Sequence, residues 1–138
     1  MGRTILTYGT FDLFHIGHLN ILKNCKNLGQ RLIVGISTDE FNASKGKKSH
    51  FSFRERCEIV AACKYVDEVL PETSWTQKIN DINAYGVDLF VMGDDWKGKF
   101  DFLKEYCEVT YLPRTIGVST TLIRESIQLE VNNQILHE

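Results

Sequence analysis

The chain has 138 residues, 43% of them hydrophobic and 25% charged, with a formal net charge of −2, and that length suits one domain with a core of its own. So even a balance excludes a protein whose main business is coating nucleic acid, where a strongly basic face is the electrostatic footprint, so any phosphate binding has to be local. The N-terminal stretch MGRTILTYGT is too soon interrupted by polar residues for a signal peptide or a membrane span, which predicts a cytoplasmic protein with no membrane partner.

In chain order, TILTYGT is a short, β-rich apolar run and predicts the first strand. GTFDLFHIGH follows, with His15 and His18 three apart. If the chain turns from strand into helix near Ile16, both imidazoles share one face beside the helix's unpaired N–H groups, an arrangement that suits an anion. Taken alone, the pair fits metal ligation or two solvated loop histidines equally well. HLNILKNCKNLG carries Leu19, Leu22, Cys25 and Leu28 near helical period, and Gly29 is expected just past the helix end. RLIVGIST is almost continuously apolar, as in a strand buried on both faces of a parallel sheet.

Residues 39–51 are polar and read as a loop. Ser52 and Glu55 then form a capping box that opens a helix through FRERCEIVAACKY. DEVLPE predicts a third strand, TQKINDINAYG a helix closed by Gly86, DLFVMG a fourth strand, FDFLKEY a helix and CEVTYLP a fifth strand. Ser119 or Thr120 caps a last helix with Leu122, Ile123 and Ile127 on its apolar side. The pattern fades over 127–138, expected as a frayed helix end or tail of one domain spanning 1–138. The four cysteines, Cys25, Cys57, Cys63 and Cys107, form no C-x-x-C pair, so neither a zinc site nor a disulfide framework is indicated.

Strand and helix alternating five times predict an α/β fold: a Rossmann-like, doubly wound, five-stranded parallel sheet with helices on both faces. Ligands of such sheets bind beyond the carboxyl ends of the strands. GTFDLFHIGH, STDEFNASKGKK, GDDWKGK and RTIGVSTT, four polar glycine-containing loops, all fall at that end. A dinucleotide G-x-G-x-x-G is missing after the first strand, and GKKS lacks the upstream glycine of a Walker A loop.

With those loops in register, the chain resembles the H-x-G-H nucleotidyltransferase superfamily, and within it the glycerol-3-phosphate cytidylyltransferase branch. The resemblance runs through YGTFDLFHIGH, ISTDEFN, KGKK, YVDEV, VMGDDW with GKFDFL, and CEVTYLPRTIGVSTT. It implies attack by the phosphate of glycerol 3-phosphate on the α-phosphorus of CTP, with magnesium accompanying the nucleotide through its phosphates, no protein-held metal, and a homodimer making CDP-glycerol for a surface polymer such as teichoic acid or capsule.

The resemblance further implies catalytic roles for His15, His18, Lys45 and Arg114. It implies nucleotide contacts for Thr10, Phe11, Gly17, Lys47, Asp95, Arg114, Thr115, Ser119, Thr120 and Thr121, and acceptor contacts for Arg56, Lys64, Trp75 and Lys78. Gly17 is expected to leave room for nucleotide against the helix, and Arg114 to offer a fork of donors to phosphate. Trp75 and Lys78 share a face if their helix begins at or before Trp75. Asp12 fits a turn-stabilising role at least as well as a site role. Two departures stand out: Ile16 replaces an aromatic residue, and Lys64 stands where close relatives carry arginine. Two other functions fit the same loops, the same transfer with another acceptor or nucleotide, and a non-catalytic CTP-sensing module.

Overall fold

The computed structural model describes residues 2–137. Five parallel strands, β1 (Thr4–Gly9), β2 (Arg31–Ser37), β3 (Glu68–Glu72), β4 (Leu89–Gly93) and β5 (Glu108–Leu112), lie in the order β3-β2-β1-β4-β5. The sheet is doubly wound, as the alternation predicts. The central strands alternate sides. Ile5, Val34 and Leu89 join Leu22, Cys25 and Val60 in one core, while Leu6, Ile33 and Phe90 join Ile82, Phe100 and Leu103 in the other. Helices α1 (Ile16–Asn27) and α3 (Phe53–Ala61) cover the first face, and α4 (Lys78–Tyr85) covers the second with two 3-10 turns. Since β1 leads outward to β2 and β3 and the chain then returns to β4, the topological switch lies between β1 and β4, where a crevice opens at their carboxyl ends.

Three local expectations change. The stretch read as loop over 39–51 begins with a helix, α2 (Asp39–Ser44), whose N-terminus is capped by Thr38 Oγ1 accepting from Phe41 N at 3.1 Å. Its two turns are too short for periodicity to register, and Phe41 and Asn42 are its only buried residues. FDFLKEY forms a 3-10 turn (Asp101–Glu105) in place of an α-helix. Gly29 stands just past the end of α1, as expected, and lets the chain pass close to β1, since a Cβ there would stand 2.7 Å from Arg3 O. Gly86 does end α4 in the left-handed conformation, at φ 63°. The last helix, α5 (Thr120–His137), is capped by Ser119 and continues regularly through 127–137, with Ile127, Leu129, Val131 and Ile135 exposed.

The fully buried guanidinium of Arg56 ties four parts of the chain together. It donates to Thr10 O (2.9 Å) beyond β1, Ser37 O (2.7 Å) at the end of β2, Phe51 O (3.0 Å) before α3, and Asp39 Oδ1 (2.8 Å) in α2. Four of its five N–H donors are thereby spent on the protein. Replacing Arg56 with Met strands three carbonyls and is expected to destabilise the chain by about 2–4 kcal/mol. Urea unfolding checks this: a loss below about 1 kcal/mol would mean that the carbonyls find other donors.

Candidate active site

The loop from β1 to α1 turns sharply. Phe11 (φ 54°) and Leu13 (φ 48°) are both left-handed, a conformation costing roughly 1–3 kcal/mol for a residue with a side chain unless its surroundings enforce it. They do so through Asp12. Its buried carboxylate accepts from His50 N (2.8 Å), Phe51 N (3.0 Å) and Arg124 Nη2 (2.8 Å), and those donors hold it below the ordinary carboxylate range against the opposing effect of burial. The Asp12 carbonyl also accepts from Thr120 Oγ1 at 2.9 Å, so the start of α5 docks on the same loop. Asp12 is thus a clamp, the turn-stabilising role.

His15 is the N-cap of α1 and His18 sits one turn on. His15 Nδ1 accepts from Gly17 N at 3.0 Å, and His18 Nδ1 accepts from His15 N at 3.2 Å, a capping box made of two imidazoles. The rings stack with centroids 3.8 Å apart, and Phe11 and Phe14 flank His18. Because each Nδ1 accepts, each ring carries its proton on Nε2, on the edge away from the helix backbone. Burial lowers the pKa of His15. Burial first, and then repulsion from His15, push His18 down to about 4. Both rings are therefore neutral donors at physiological pH. Gly17 lines the cavity, and a Cβ there would also lie 2.8 Å from His15 Cε1 and 3.3 Å from Val118 Cγ1, so glycine protects the stack as well.

At the switch point lies a cavity of about 600 Å³. His15, Gly17 and His18 line one wall, with Thr10 and Phe11 behind them. Lys47 comes from the loop after α2, Asp95 from the loop after β4, and Arg114, Thr115, Ser119, Thr120 and Thr121 from the segment after β5. Four loops far apart in sequence converge. Arg114 Nη1 holds both oxygens of Asp95, at 2.9 and 3.1 Å, in a pair exposed at both ends. The Lys45 ammonium sits 4.3 Å from the Phe41 ring centroid and 5.3 Å from that of Trp75, just outside the cavity lining. Burial lowers its pKa, and repulsion from Lys47, Lys78 and Arg56 adds to this against the pull of Glu72.

The residues expected to hold the acceptor separate. Arg56 is buried behind the cavity with four of its five donors spent. Lys64 follows α3 and precedes β3, so it stands at the amino end of the sheet, away from the cavity, exposed beside the ring of Tyr65. Helix α3 has carried the chain back by then. Trp75 lies in a turn ahead of α4, because the Gln77 amide oxygen accepts from Thr73 N (2.6 Å) and Ser74 N (3.1 Å) and delays the helix to Lys78. The two side chains meet all the same, with Lys78 Nζ 5.5 Å from the Trp75 ring; Trp75 is the half-exposed member and Lys78 the buried one. Sequence reasoning missed Asn20, whose Nδ2 donates to Thr115 Oγ1 at 2.9 Å, and Arg124, which reaches Asp12 and the cavity wall. Both sit at ordinary helix positions, and only their place beside His18 and Thr120 hints at a role.

Residues 6–126 match the cytidylyltransferase-like family, and glycerol-3-phosphate cytidylyltransferase of Bacillus spizizenii is 60% identical over 91% of this chain and 97% of its own length. The chain belongs to the cytidylyltransferase-like family. A more distant member, the ethanolamine-phosphate cytidylyltransferase of Dictyostelium discoideum, is 37% identical over 82% of this chain and 33% of its own length. The fold is shared with a lipopolysaccharide core biosynthesis protein from Thermoplasma volcanium, at TM-score 0.72 and 22% identity over 83% of this chain and 99% of that one. No helix among the described residues is long and apolar enough to cross a membrane.

In this cytidylyltransferase-like chain the imidazole stack ties pH to stability. The folded chain holds the His18 proton more weakly than the unfolded chain, whose imidazole titrates near 6.5. Unfolding therefore takes up a proton. The contribution is complete above pH 6.5 and falls as the pH drops toward 4, by about 3 kcal/mol in all. Thermal melts of the parent and of His18→Asn between pH 7 and 4.5 check this, and the parent is expected to lose the more. Equal slopes would mean that His18 titrates normally.

Proposed function

We infer that this chain transfers the cytidylyl group of CTP to glycerol 3-phosphate, releasing pyrophosphate and forming CDP-glycerol. The stacked His15–His18 pair carries the reading: two neutral imidazoles with their Nδ1 atoms tied back offer two Nε2–H donors from one helix end to one wall of the cavity. An oxygen of the acceptor phosphate bonds to the α-phosphorus of CTP, and the bond from that phosphorus to the bridging oxygen breaks, its electron pair leaving on pyrophosphate. Charge grows on the leaving and equatorial oxygens. Fixed donors aimed there stabilise the transition state more than the ground state, and the remaining demand is positioning.

Arg114 and Lys47 hold the phosphates, with Lys45 bringing charge to the acceptor side. The Arg114–Asp95 pair is exposed and so costs little to open. When Arg114 turns to the triphosphate, Asp95 is released to accept from the amino group of cytosine. Thr10, Phe11, Thr115, Ser119, Thr120 and Thr121 supply hydroxyls and backbone N–H groups along the nucleotide, and Trp75 walls the acceptor side. Magnesium comes with CTP. The Asp12 carboxylate is taken up by Arg124 and two backbone N–H groups, which supports an ion bound through phosphate oxygens and water. When bound, it neutralises phosphate charge. The same reading puts the reaction in the cytoplasm, in a homodimer, supplying a glycerol-phosphate surface polymer such as teichoic acid or capsule. Family resemblance supports this, and the apolar side chains exposed on α5 offer surface to a second copy.

The direct test mixes the purified chain with glycerol 3-phosphate, magnesium and CTP, ATP or UTP in turn, and follows pyrophosphate and CDP-glycerol. CTP alone is expected to support turnover. Turnover with ATP in its place would move the chain to another branch, and binding without turnover would make it a sensor. His18→Ala is expected to lower kcat by about 100- to 1,000-fold while changing CTP affinity little; near-normal turnover would remove His18 from the transition state. Arg114→Lys keeps the charge and loses the fork, and is expected to cost at least about 10-fold in kcat/KM for CTP. Unchanged kcat/KM would leave Arg114 a point charge.

A further inference from the structure

Between α2 and α3 the chain lines the cavity with Gly46, Lys47, Lys48 and Ser49. That segment is pinned at both ends. Asn42 holds it from α2: its carbonyl accepts from Lys45 N (3.0 Å) and Lys47 N (2.9 Å), and its Nδ2 donates to Ser49 Oγ at 2.9 Å. Asp12 holds it from the loop after β1, through His50 N and Phe51 N. The Asn42 side chain also lines the cavity and is buried, and its Oδ1 has no hydrogen-bond partner among the described residues. An unpaired oxygen in the interior works against folding, and the bonds to Lys45 N and Lys47 N use the main chain, so stability does not account for an amide here. Its bond to Ser49 does. Turned over, the amide would spend the Ser49 proton on Oδ1 and strand a buried NH2 group, and buried N–H groups are left unpaired less often than buried oxygens.

A serine hydroxyl has one proton and two lone pairs. Nδ2 of Asn42 occupies a lone pair, and the proton has no acceptor among the described residues. The position of Ser49 shows what it meets. The preceding carbonyl, Lys48 O, lies 3.5 Å from Arg124 Nη2 on α5, and Asp12, which fixes residues 50 and 51, also fixes the start of α5 through Thr120. Ser49 therefore stands toward Ser119, Thr120 and Thr121, whereas Lys45 is turned to Phe41 and Trp75, outside the lining. Cations and hydroxyls facing one another across a cavity suit a chain of phosphates. Resting on the function proposed above, we propose that Ser49 donates its hydroxyl proton to the terminal phosphates of CTP, and to the pyrophosphate they become. Asn42 is a positioning residue: it sets the direction of the Ser49 O–H.

Calorimetry with inorganic pyrophosphate and magnesium reads this contact without turnover. The parent is expected to bind, and S49A to bind about 10-fold more weakly, the factor of one hydrogen bond to a charged group. S49T keeps the hydroxyl and is expected to bind nearly as the parent does. N42L keeps the carbonyl that anchors Lys45 and Lys47 and loses the amide; it is expected to bind about 3-fold or more weakly. The N42L/S49A double variant is expected to bind no more weakly than S49A, because Asn42 acts through Ser49. In turnover, S49A is expected to raise the KM for CTP and leave that for glycerol 3-phosphate unchanged. An S49A that binds pyrophosphate like the parent overturns the proposal, as does a parent that binds none. A double variant clearly weaker than S49A removes the positioning role of Asn42, and S49A with S49T tests the contact even where N42L does not fold. A parent that binds pyrophosphate through Ser49 and yet fails to turn over CTP with glycerol 3-phosphate overturns the function and leaves the Ser49 contact standing.

Discussion

The site rests on one buried carboxylate. Asp12 takes two backbone N–H groups from the segment ahead of α3 and a guanidinium N–H from α5, and so enforces two left-handed residues in the turn from β1 into α1. That turn aims the two imidazoles at the cavity, while the His15 ring takes up the first free N–H of α1. Were it to relax, the donors would stay present in the chain and lose their common target. The same clamp docks α5 through Thr120 on the Asp12 carbonyl, so the loops after β1 and β5 are fixed relative to each other before any nucleotide arrives.

The charges around the cavity divide into spent and available groups. Arg56, Asp12 and Arg124 satisfy one another's segments, and Arg114 and Asp95 hold each other in an exposed, easily opened pair. Among the described residues Lys45 and Lys47 form no ion pair with a carboxylate, and burial above all lowers the pKa of Lys45. The histidines, held neutral, add donors without adding charge. An anion entering here meets positive charge on the rim and neutral donors at the helix end, the division expected where phosphates are bound at one side and charge develops at the other.

A second neutral-looking region, the aromatic cluster under Trp75, turns out to be occupied by charge. Tyr8, Trp75 and Phe100 converge on Lys78 from β1, from the turn before α4 and from the turn after β4. Those rings come together because the second face of the sheet packs a strand residue, Tyr8, against the two connections that carry Trp75 and Phe100. Their spacing in sequence carries no sign of it.

The fold was legible because its signals are local and repeated: apolar runs of strand length, capping residues such as Ser52 and Gly86, and polar loops after successive strands. The cavity lining was legible too, since H-x-G-H and R-T-x-G-x-S-T-T are contiguous motifs that line the cavity where they stand. Tertiary structure decided what depends on direction. Helix α3 carries Lys64 to the far end of the sheet, Arg56 points inward to carbonyls, Asp12 becomes a clamp, and Lys78 is buried while Trp75 is half exposed. Long side chains report charge and reach in a sequence but not heading. Heading is set by which partners lie across the fold, and those partners, Thr10 and Ser37 for Arg56 or Tyr8 and Phe100 for Lys78, come from distant strands and loops that only the folded sheet brings within a few ångströms.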